Sequence, residues 1–158
     1  MKNIALIGFM GTGKSSAGRL LARRLRMEFV ETDALIEERT GSTIPQLFAD
    51  RGEEGFREIE REIVKEITLE GGRVISFGGG VTLNRHSQML IRATSYTVLL
   101  HADPEVLYSR IASCRTRPLA RSFGSSQDLS ALLSDRAEAY SSYDLAIDTG
   151  RTPAHLVA

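Results

Sequence analysis

Apolar and polar positions along this chain switch repeatedly between short continuous apolar runs and a helical spacing of three and four. Ile4-Ala5-Leu6-Ile7 is a short apolar run that predicts a buried strand. Ser16 to Arg26 then places apolar residues at Ala17, Leu20, Leu21 and Leu25, which predicts a helix. Phe29-Val30 reads as a second short strand, and Asp33 to Arg39 as a helical stretch closed by Gly41. Thr43-Ile44-Pro45-Gln46 carries a helix-start signature: an N-cap threonine, an early proline and a glutamine three residues after the cap. Gly52 predicts the end of that helix. Phe56, Ile59, Ile63 and Ile67 mark one face of the next, which Gly71-Gly72 ends. Val74 to Phe77 and Tyr96 to Leu100 read as strands, the latter β-branched and apolar. Asp103-Pro104 opens another helix as N-cap and first residue. Ser113 to Ser126 has no period and reads as a mobile loop. Leu129, Leu132, Leu133 and Tyr140 return to helical spacing. Leu145 to Asp148 is a last strand, and Pro153 begins a terminal helix. Alternating strands and helices predict an α/β fold with a parallel sheet covered on both faces. No repeat or linker divides the chain, so residues 1–158 are expected to form one domain.

Composition narrows the function classes. The chain has 158 residues, 42% hydrophobic and 25% charged, an ordinary globular balance. Twenty acidic and twenty basic residues give a formal net charge of zero. That argues against nucleic-acid and membrane-surface partners, both of which need a basic excess. No apolar run approaches the ~18 residues of a membrane span. Met1-Lys2-Asn3 runs directly into the first strand, so no signal peptide is expected. Cys114 is the only cysteine; it excludes an intrachain disulfide and fits a reducing, cytoplasmic compartment. The even charge predicts a monomer.

The chemistry begins between the first strand and the first helix. Gly8-Phe9-Met10-Gly11-Thr12-Gly13-Lys14-Ser15 fits G-x-x-x-x-G-K-[ST], the phosphate-binding P-loop. Free backbone N–H groups and the helix dipole make this junction attractive to anions. Gly11, Thr12, Gly13, Lys14, Ser15 and Ser16 are therefore the candidate ATP-binding residues. Lys14 would reach the β- and γ-phosphates, and the Ser15 hydroxyl would ligate Mg²⁺.

Ligands of open α/β sheets bind beyond the carboxyl ends of the strands. Glu31 and Asp33 follow the second strand, and Gly78-Gly79-Gly80 follows the Val74 strand. Asp33 suits either a carboxylate that orients an acceptor hydroxyl and takes its proton or the N-cap of the next helix. Glu31 is placed near the water shell of Mg²⁺, or is an exposed loop acid. Arg57 and Glu60, three apart, are either a solvated pair or a held arginine that forks onto a substrate carboxylate. The glycine run is either a plain turn or a place where backbone approaches a ligand. Arg115, Arg117 and Arg121, with Arg110 before and Arg136 beyond, are either a solvated charge run or part of a lid closing on phosphates. In the lid reading Arg117 stabilises the transferring phosphoryl group.

Taken in order, these residues resemble shikimate kinase along essentially the whole chain. The set is the P-loop with Gly18-Arg19 after it, Glu31-Thr32-Asp33, Phe56-Arg57-Glu58-Ile59-Glu60, Gly78-Gly79-Gly80, Arg117-Pro118-Leu119, and Arg136 with Tyr140 four later. The resemblance implies a P-loop kinase fold related to nucleoside monophosphate kinases. It would be three-layered, α/β/α, with a central five-stranded parallel sheet, a substrate-binding region at about 33–60 and a lid at about 112–125. It implies transfer of the ATP γ-phosphate to the 3-hydroxyl of shikimate, with one Mg²⁺ per subunit, in aromatic amino-acid biosynthesis. Asp33, Lys14 and Arg117 would be catalytic. Asp33, Arg57, Gly78, Gly79, Gly80 and Arg136 would bind shikimate, Glu60 would hold Arg57, and Arg110 would pack near adenine. Phe48 and Phe56 would cover the ring's apolar edge. Glu31 stands where the family usually has aspartate, one methylene shorter, and the terminal helix is expected to be shorter than the family's.

Gluconate, a nucleotide acceptor, a binding domain without turnover and a GTPase switch are the competing readings. Two arginines with an aspartate suit a carboxylated polyol better than a nucleotide. A GTPase would need an N-K-x-D motif, which the chain lacks.

Overall fold

The computed structural model describes residues 1–112 and 125–157. Five short strands, β1 (Asn3–Ile7), β2 (Glu28–Glu31), β3 (Arg73–Ser76), β4 (Ser95–His101) and β5 (Leu145–Asp148), form one sheet. Its order is β2-β3-β1-β4-β5 and every neighbouring pair is parallel. Ala5 stands opposite Ile75 on one side and Thr97 on the other, which makes β1 the central strand. After β1 the chain moves outward to β2, returns through β3, and then crosses to β4. The direction of winding therefore reverses between β1 and β3, where an open α/β sheet leaves a crevice beyond its carboxyl ends. The P-loop leaves β1 and the glycine run leaves β3 at that crevice.

Alternation along β1 divides the core between the sheet's two faces. Ala5 and Ile7 pack with Ile36, Leu47, Phe56, Ile63, Ile67 and Ile91. Those residues come from α2 (Thr32–Thr40), α3 (Ile44–Leu69) and α4 (Arg85–Thr94). Leu6 packs with Ala17 and Ala22 of α1 (Lys14–Leu25), and Val157 of α7 (Ala154–Val157) borders the same cluster. A third cluster lies past the strand ends. There Phe9 and Met10 meet Leu107 and Ile111 of α5 (Pro104–Ala112), Leu129 of α6 (Ser126–Asp135), and Tyr140.

Most sequence expectations are met, with instructive differences. The Thr43/Gln46 capping box is present, the Thr43 hydroxyl accepting from the Gln46 N–H. Gly52 breaks the helix as expected (φ 68°, ψ −178°), but the two segments continue as one long kinked element. Asp33 is not a helix cap: Glu31 occupies the N-cap position of α2 and Asp33 lies in the first turn. Tyr140 does not extend α6. It closes a 3-10 turn, Glu138–Tyr140, yet still packs with Leu129. The α4 helix was not legible in the spacing; the Asn84 side chain starts it by accepting from the Ser87 N–H. The expected lid loop, with Cys114, Arg115, Arg117 and Arg121, lies outside the described residues.

Candidate active site

Helix capping sets α1 apart from α3, α4 and α6. Side-chain oxygens cap α3, α4 and α6. The N-cap of α1 is Gly13, in a left-handed conformation (φ 87°) and without a side-chain cap. An uncapped helix start pointing into a crevice is where an anion gains most from backbone N–H groups. Gly8 is required for a different reason. A Cβ there would lie 2.1 Å from the Leu100 carbonyl oxygen, so only glycine lets the loop pass the end of β4.

The loop holds its own cation. Lys14 is buried, and its Nζ donates to the carbonyls of Gly8 at 2.8 Å and Phe9 at 2.9 Å. The Thr12 hydroxyl also donates to the Phe9 carbonyl, at 2.8 Å. Beside them the Ser15 hydroxyl donates to Glu31, whose second oxygen accepts from Arg19 at 3.0 Å. Arg19 in turn lies over the Phe29 ring, 4.8 Å from its centre. Glu31 thus reaches Ser15 directly. A hydroxyl and one carboxylate are hard oxygen donors of the kind Mg²⁺ takes when substrate phosphates and water complete its shell. No group of three or more His, Cys, Asp or Glu side chains suited to a metal occurs among the described residues. The pair therefore fits a cation brought in with a nucleotide better than a cage made by protein alone.

The glycine run meets side chains as closely as it would meet a ligand. A Cβ on Gly78 would fall 2.4 Å from Asp33 Oδ1, and one on Gly80 would fall 2.6 Å from an Arg57 guanidinium nitrogen. The absence of side chains therefore seats Asp33 and Arg57 against the loop. Thr32, which the sequence placed in the Glu31-Thr32-Asp33 motif without a role of its own, ties the same loop to α2. Its hydroxyl accepts from the Gly78 N–H at 2.8 Å and donates to the Ser76 carbonyl at 3.3 Å. Its position between two acids at a strand end was the available signal. The phenol of Tyr140 donates to the Gly79 carbonyl.

Arg57 is clamped rather than solvated. Its guanidinium donates to Glu60 at 2.8 Å and to Glu53 at 3.4 Å, and it lies 5.3 Å from the centre of the Phe56 ring. Glu60 is 4% exposed, so this is not a surface pair. Burial pushes the Glu60 carboxyl above its ordinary value; the adjacent Arg57 opposes this, and the charge of Asp33 adds to it. Phe48 stacks on Phe56 with ring centres 4.5 Å apart, and Phe48 is the more exposed of the two. Arg136, the last residue of the α6 cap, lies over the Phe9 ring at 5.6 Å, which brings it to the P-loop from a distant part of the chain.

A cleft of about 290 Å³ connects the P-loop with Glu31, Asp33 and the start of the glycine run. Gly11, Gly13, Lys14, Ser15, Ser16, Glu31, Asp33, Gly78, Gly79 and Arg110 are among its lining residues. A second cleft, of about 370 Å³, lies on the other side of Gly11 and Gly13 and includes Thr12, Arg110 and residues 149–153. Arg110 joins the two. It donates to the Gly11 carbonyl at 3.2 Å and to the Thr149 carbonyl at 2.8 Å. The structure thus gathers P-loop residues, Glu31, Asp33, Gly78, Gly79 and Arg110 around one crevice, with Arg57 against Gly80 at the end of the glycine run and Arg136 beside Phe9.

A family model described as shikimate kinase matches residues 10–158. The chain belongs to the shikimate kinase family. It is 44% identical over 148 residues to a shikimate kinase of Geobacter sulfurreducens, covering 94% of this chain and 82% of that one. It is 43% identical over 150 residues to one from Pelotomaculum thermopropionicum, covering 95% and 87%. The structure of shikimate kinase from Acinetobacter baumannii in complex with shikimate superposes with a TM-score of 0.91 at 33% identity, over 98% of this chain and 87% of that one. Membership of this family agrees with the kinase fold and with ATP as phosphoryl donor.

Proposed function

We propose that this chain transfers the γ-phosphoryl group of ATP to the 3-hydroxyl of shikimate, releasing ADP and shikimate 3-phosphate, in aromatic amino-acid biosynthesis. The observation that carries the assignment is the convergence of Asp33 and the clamped Arg57 on the glycine run, across the crevice from the P-loop. An acceptor with a carboxylate and several hydroxyls matches that pair of charges. Arg57 and Arg136 take the carboxylate. Asp33 takes the hydroxyls, and Gly78, Gly79 and Gly80 close one side with backbone.

In the reaction the shikimate 3-oxygen attacks the γ-phosphorus. The new O–P bond forms as the bond from phosphorus to the β,γ-bridging oxygen breaks, and ADP leaves with that electron pair. Asp33 accepts the hydrogen bond of the attacking hydroxyl, aligns it, and takes its proton as the O–P bond forms. The loose transition state leaves positioning and charge as the main demands on the protein. Lys14, released from the Gly8 and Phe9 carbonyls, serves the β- and γ-phosphates, and the α1 N-terminus supplies backbone N–H donors. Arg110 borders the nucleotide cleft, and Arg117 completes the charge around the γ-phosphate. Mg²⁺, held by Ser15 and, through water, by Glu31, would neutralise the phosphate charge when bound. Glu31 and Ser15 orient each other in advance of that ion.

Residues 1–158 are taken as one domain, with the acceptor region at about 33–60 and the lid at about 112–125. No helix among the described residues is long and apolar enough to cross a membrane. A monomer in the cytoplasm is the form proposed. The test is ADP release from purified protein with Mg-ATP, comparing shikimate, quinate, gluconate, AMP and no acceptor. Stimulation by shikimate above all others is expected. Stimulation by gluconate or AMP instead, or by no acceptor, would overturn the assignment.

A further inference from the structure

Tyr140 lies in a part of the chain remote from the glycine run, yet its phenol ends on that run. It is 9% exposed and packs with Phe9, Met10 and Leu129. Its hydroxyl donates to the Gly79 carbonyl across 61 intervening sequence steps. The turn that carries it is anchored separately: Gln88 of α4 donates to the Ala139 carbonyl at 3.2 Å. Arg136, four residues earlier, stands beside the phenol and lies over the ring of Phe9 in the P-loop. One side chain therefore holds the peptide at Gly79 and packs, with the Phe9 ring, near the arginine that would take the substrate's carboxylate.

The geometry has a directional consequence. In a planar trans peptide the N–H points opposite to the C=O. Drawing the Gly79 carbonyl onto Tyr140 turns the Gly80 N–H away from it. Glycine has no steric preference that would hold this orientation by itself. The run is held at its start by Thr32 on the Gly78 N–H, and the Gly78 and Gly80 carbonyls accept from the Val81 and Leu83 N–H groups, each at 3.1 Å. Those bonds do not reach the middle peptide of the turn, Gly79–Gly80, whose carbonyl is held by Tyr140 beside Arg57, which touches the position a Gly80 Cβ would take.

We propose that Tyr140 is a positioning residue for the acceptor, setting the Gly79–Gly80 peptide and Arg136 together. This rests on the shikimate assignment above. It requires no contact between Tyr140 and substrate, and it distinguishes the acceptor half of the cleft from the nucleotide half.

The variant to make is Tyr140→Phe, which removes one oxygen and keeps the ring's packing. Wild-type protein is assayed first for shikimate-stimulated ADP release; absence of stimulation there defeats the functional assignment and not the role of Tyr140. Given an active wild type, the expected result is a shikimate KM raised about tenfold, the scale of one lost buried hydrogen bond. The ATP KM should stay within about twofold, a margin well below that bond's effect. In an Arg136→Ala background, Tyr140→Phe should add much less than it does alone, since part of its effect acts through Arg136. Equal loss for ATP and shikimate would make Tyr140 a packing residue only, and full additivity with Arg136→Ala would remove the coupling. If Tyr140→Phe melts too low for the assay, its shikimate and ATP affinities are measured by calorimetry below its melting temperature. The loss should still be confined to shikimate, and a loss shared equally with ATP would overturn the proposal.

Discussion

The nucleotide half and the acceptor half of the cleft hold their functional groups by different means. The nucleotide half is made mainly of backbone from one short stretch, residues 8–15, at the join of β1 and α1. Its lysine rests on carbonyls five and six residues back. The acceptor half is assembled from side chains on α2, α3 and α6, and from a turn brought in by Tyr140. Local geometry suffices for phosphate because every peptide offers the same N–H donor. Recognition of one acid among many needs charges at fixed separations, and no contiguous stretch of chain supplies those. The acceptor half should therefore be sensitive to changes far away in sequence, and the nucleotide half to changes within the loop.

Replacing Lys14 by Ala tests the local half and should have the largest effect, lowering turnover about 10³-fold by removing charge from the transferring group. Shikimate binding measured by calorimetry should survive; its loss would show that the halves are not separable. Asp33→Asn comes next, with turnover reduced about 10²-fold and ATP affinity nearly intact. Unchanged turnover would remove Asp33 from the mechanism. Arg57→Ala should raise the shikimate KM about 30-fold, corresponding to about 2 kcal/mol for a charged hydrogen-bonded contact. A selective loss of ATP affinity would contradict its assignment to the acceptor half.

The smallest expected effect is the pH response of Glu60. Its carboxyl is pushed above the ordinary 4.5, first by burial. The folded chain therefore keeps that proton at pH values where the unfolded chain has released it. For this group alone, stability rises as pH falls from the raised value toward 4.5 and declines as pH rises through the same window. Protonation there also takes the counter-charge from Arg57. The melting temperature of wild type relative to Glu60→Gln should accordingly increase on acidification, while the wild-type shikimate KM rises before the ATP KM changes. A difference between the two proteins that does not vary with pH would show that Glu60 does not titrate in this window.

The glycine run shows where reading the sequence stopped short. Three glycines after a strand announce a close approach, but not what approaches. The folded chain answers with Asp33 at Gly78 and Arg57 at Gly80. Arg57 and Glu60 were recognisable as neighbours on a helix by their spacing of three. Whether that pair was solvated depended on Glu60 being buried against the sheet, which spacing does not reveal. The α4 helix escaped notice because much of its apolar character is exposed, as at Met89, while Ile91 alone among its aliphatic residues is fully buried.

The sequence by itself determined the order of the five strands and of the helices other than α4, the P-loop and its place at a helix start. It also carried the ordered motif set that marks the family. These features are encoded by neighbouring residues, through backbone conformation and periodic burial. Only the tertiary structure decided that β1 is central and that the crevice opens between it and β3. It also decided that Glu31 reaches Ser15, and that Tyr140 and Arg136 return to the glycine run and the P-loop. Such contacts join residues tens of positions apart. Their energies depend on burial and on separations of about 3 Å, the range of a hydrogen bond, which exist only once the chain has closed on itself.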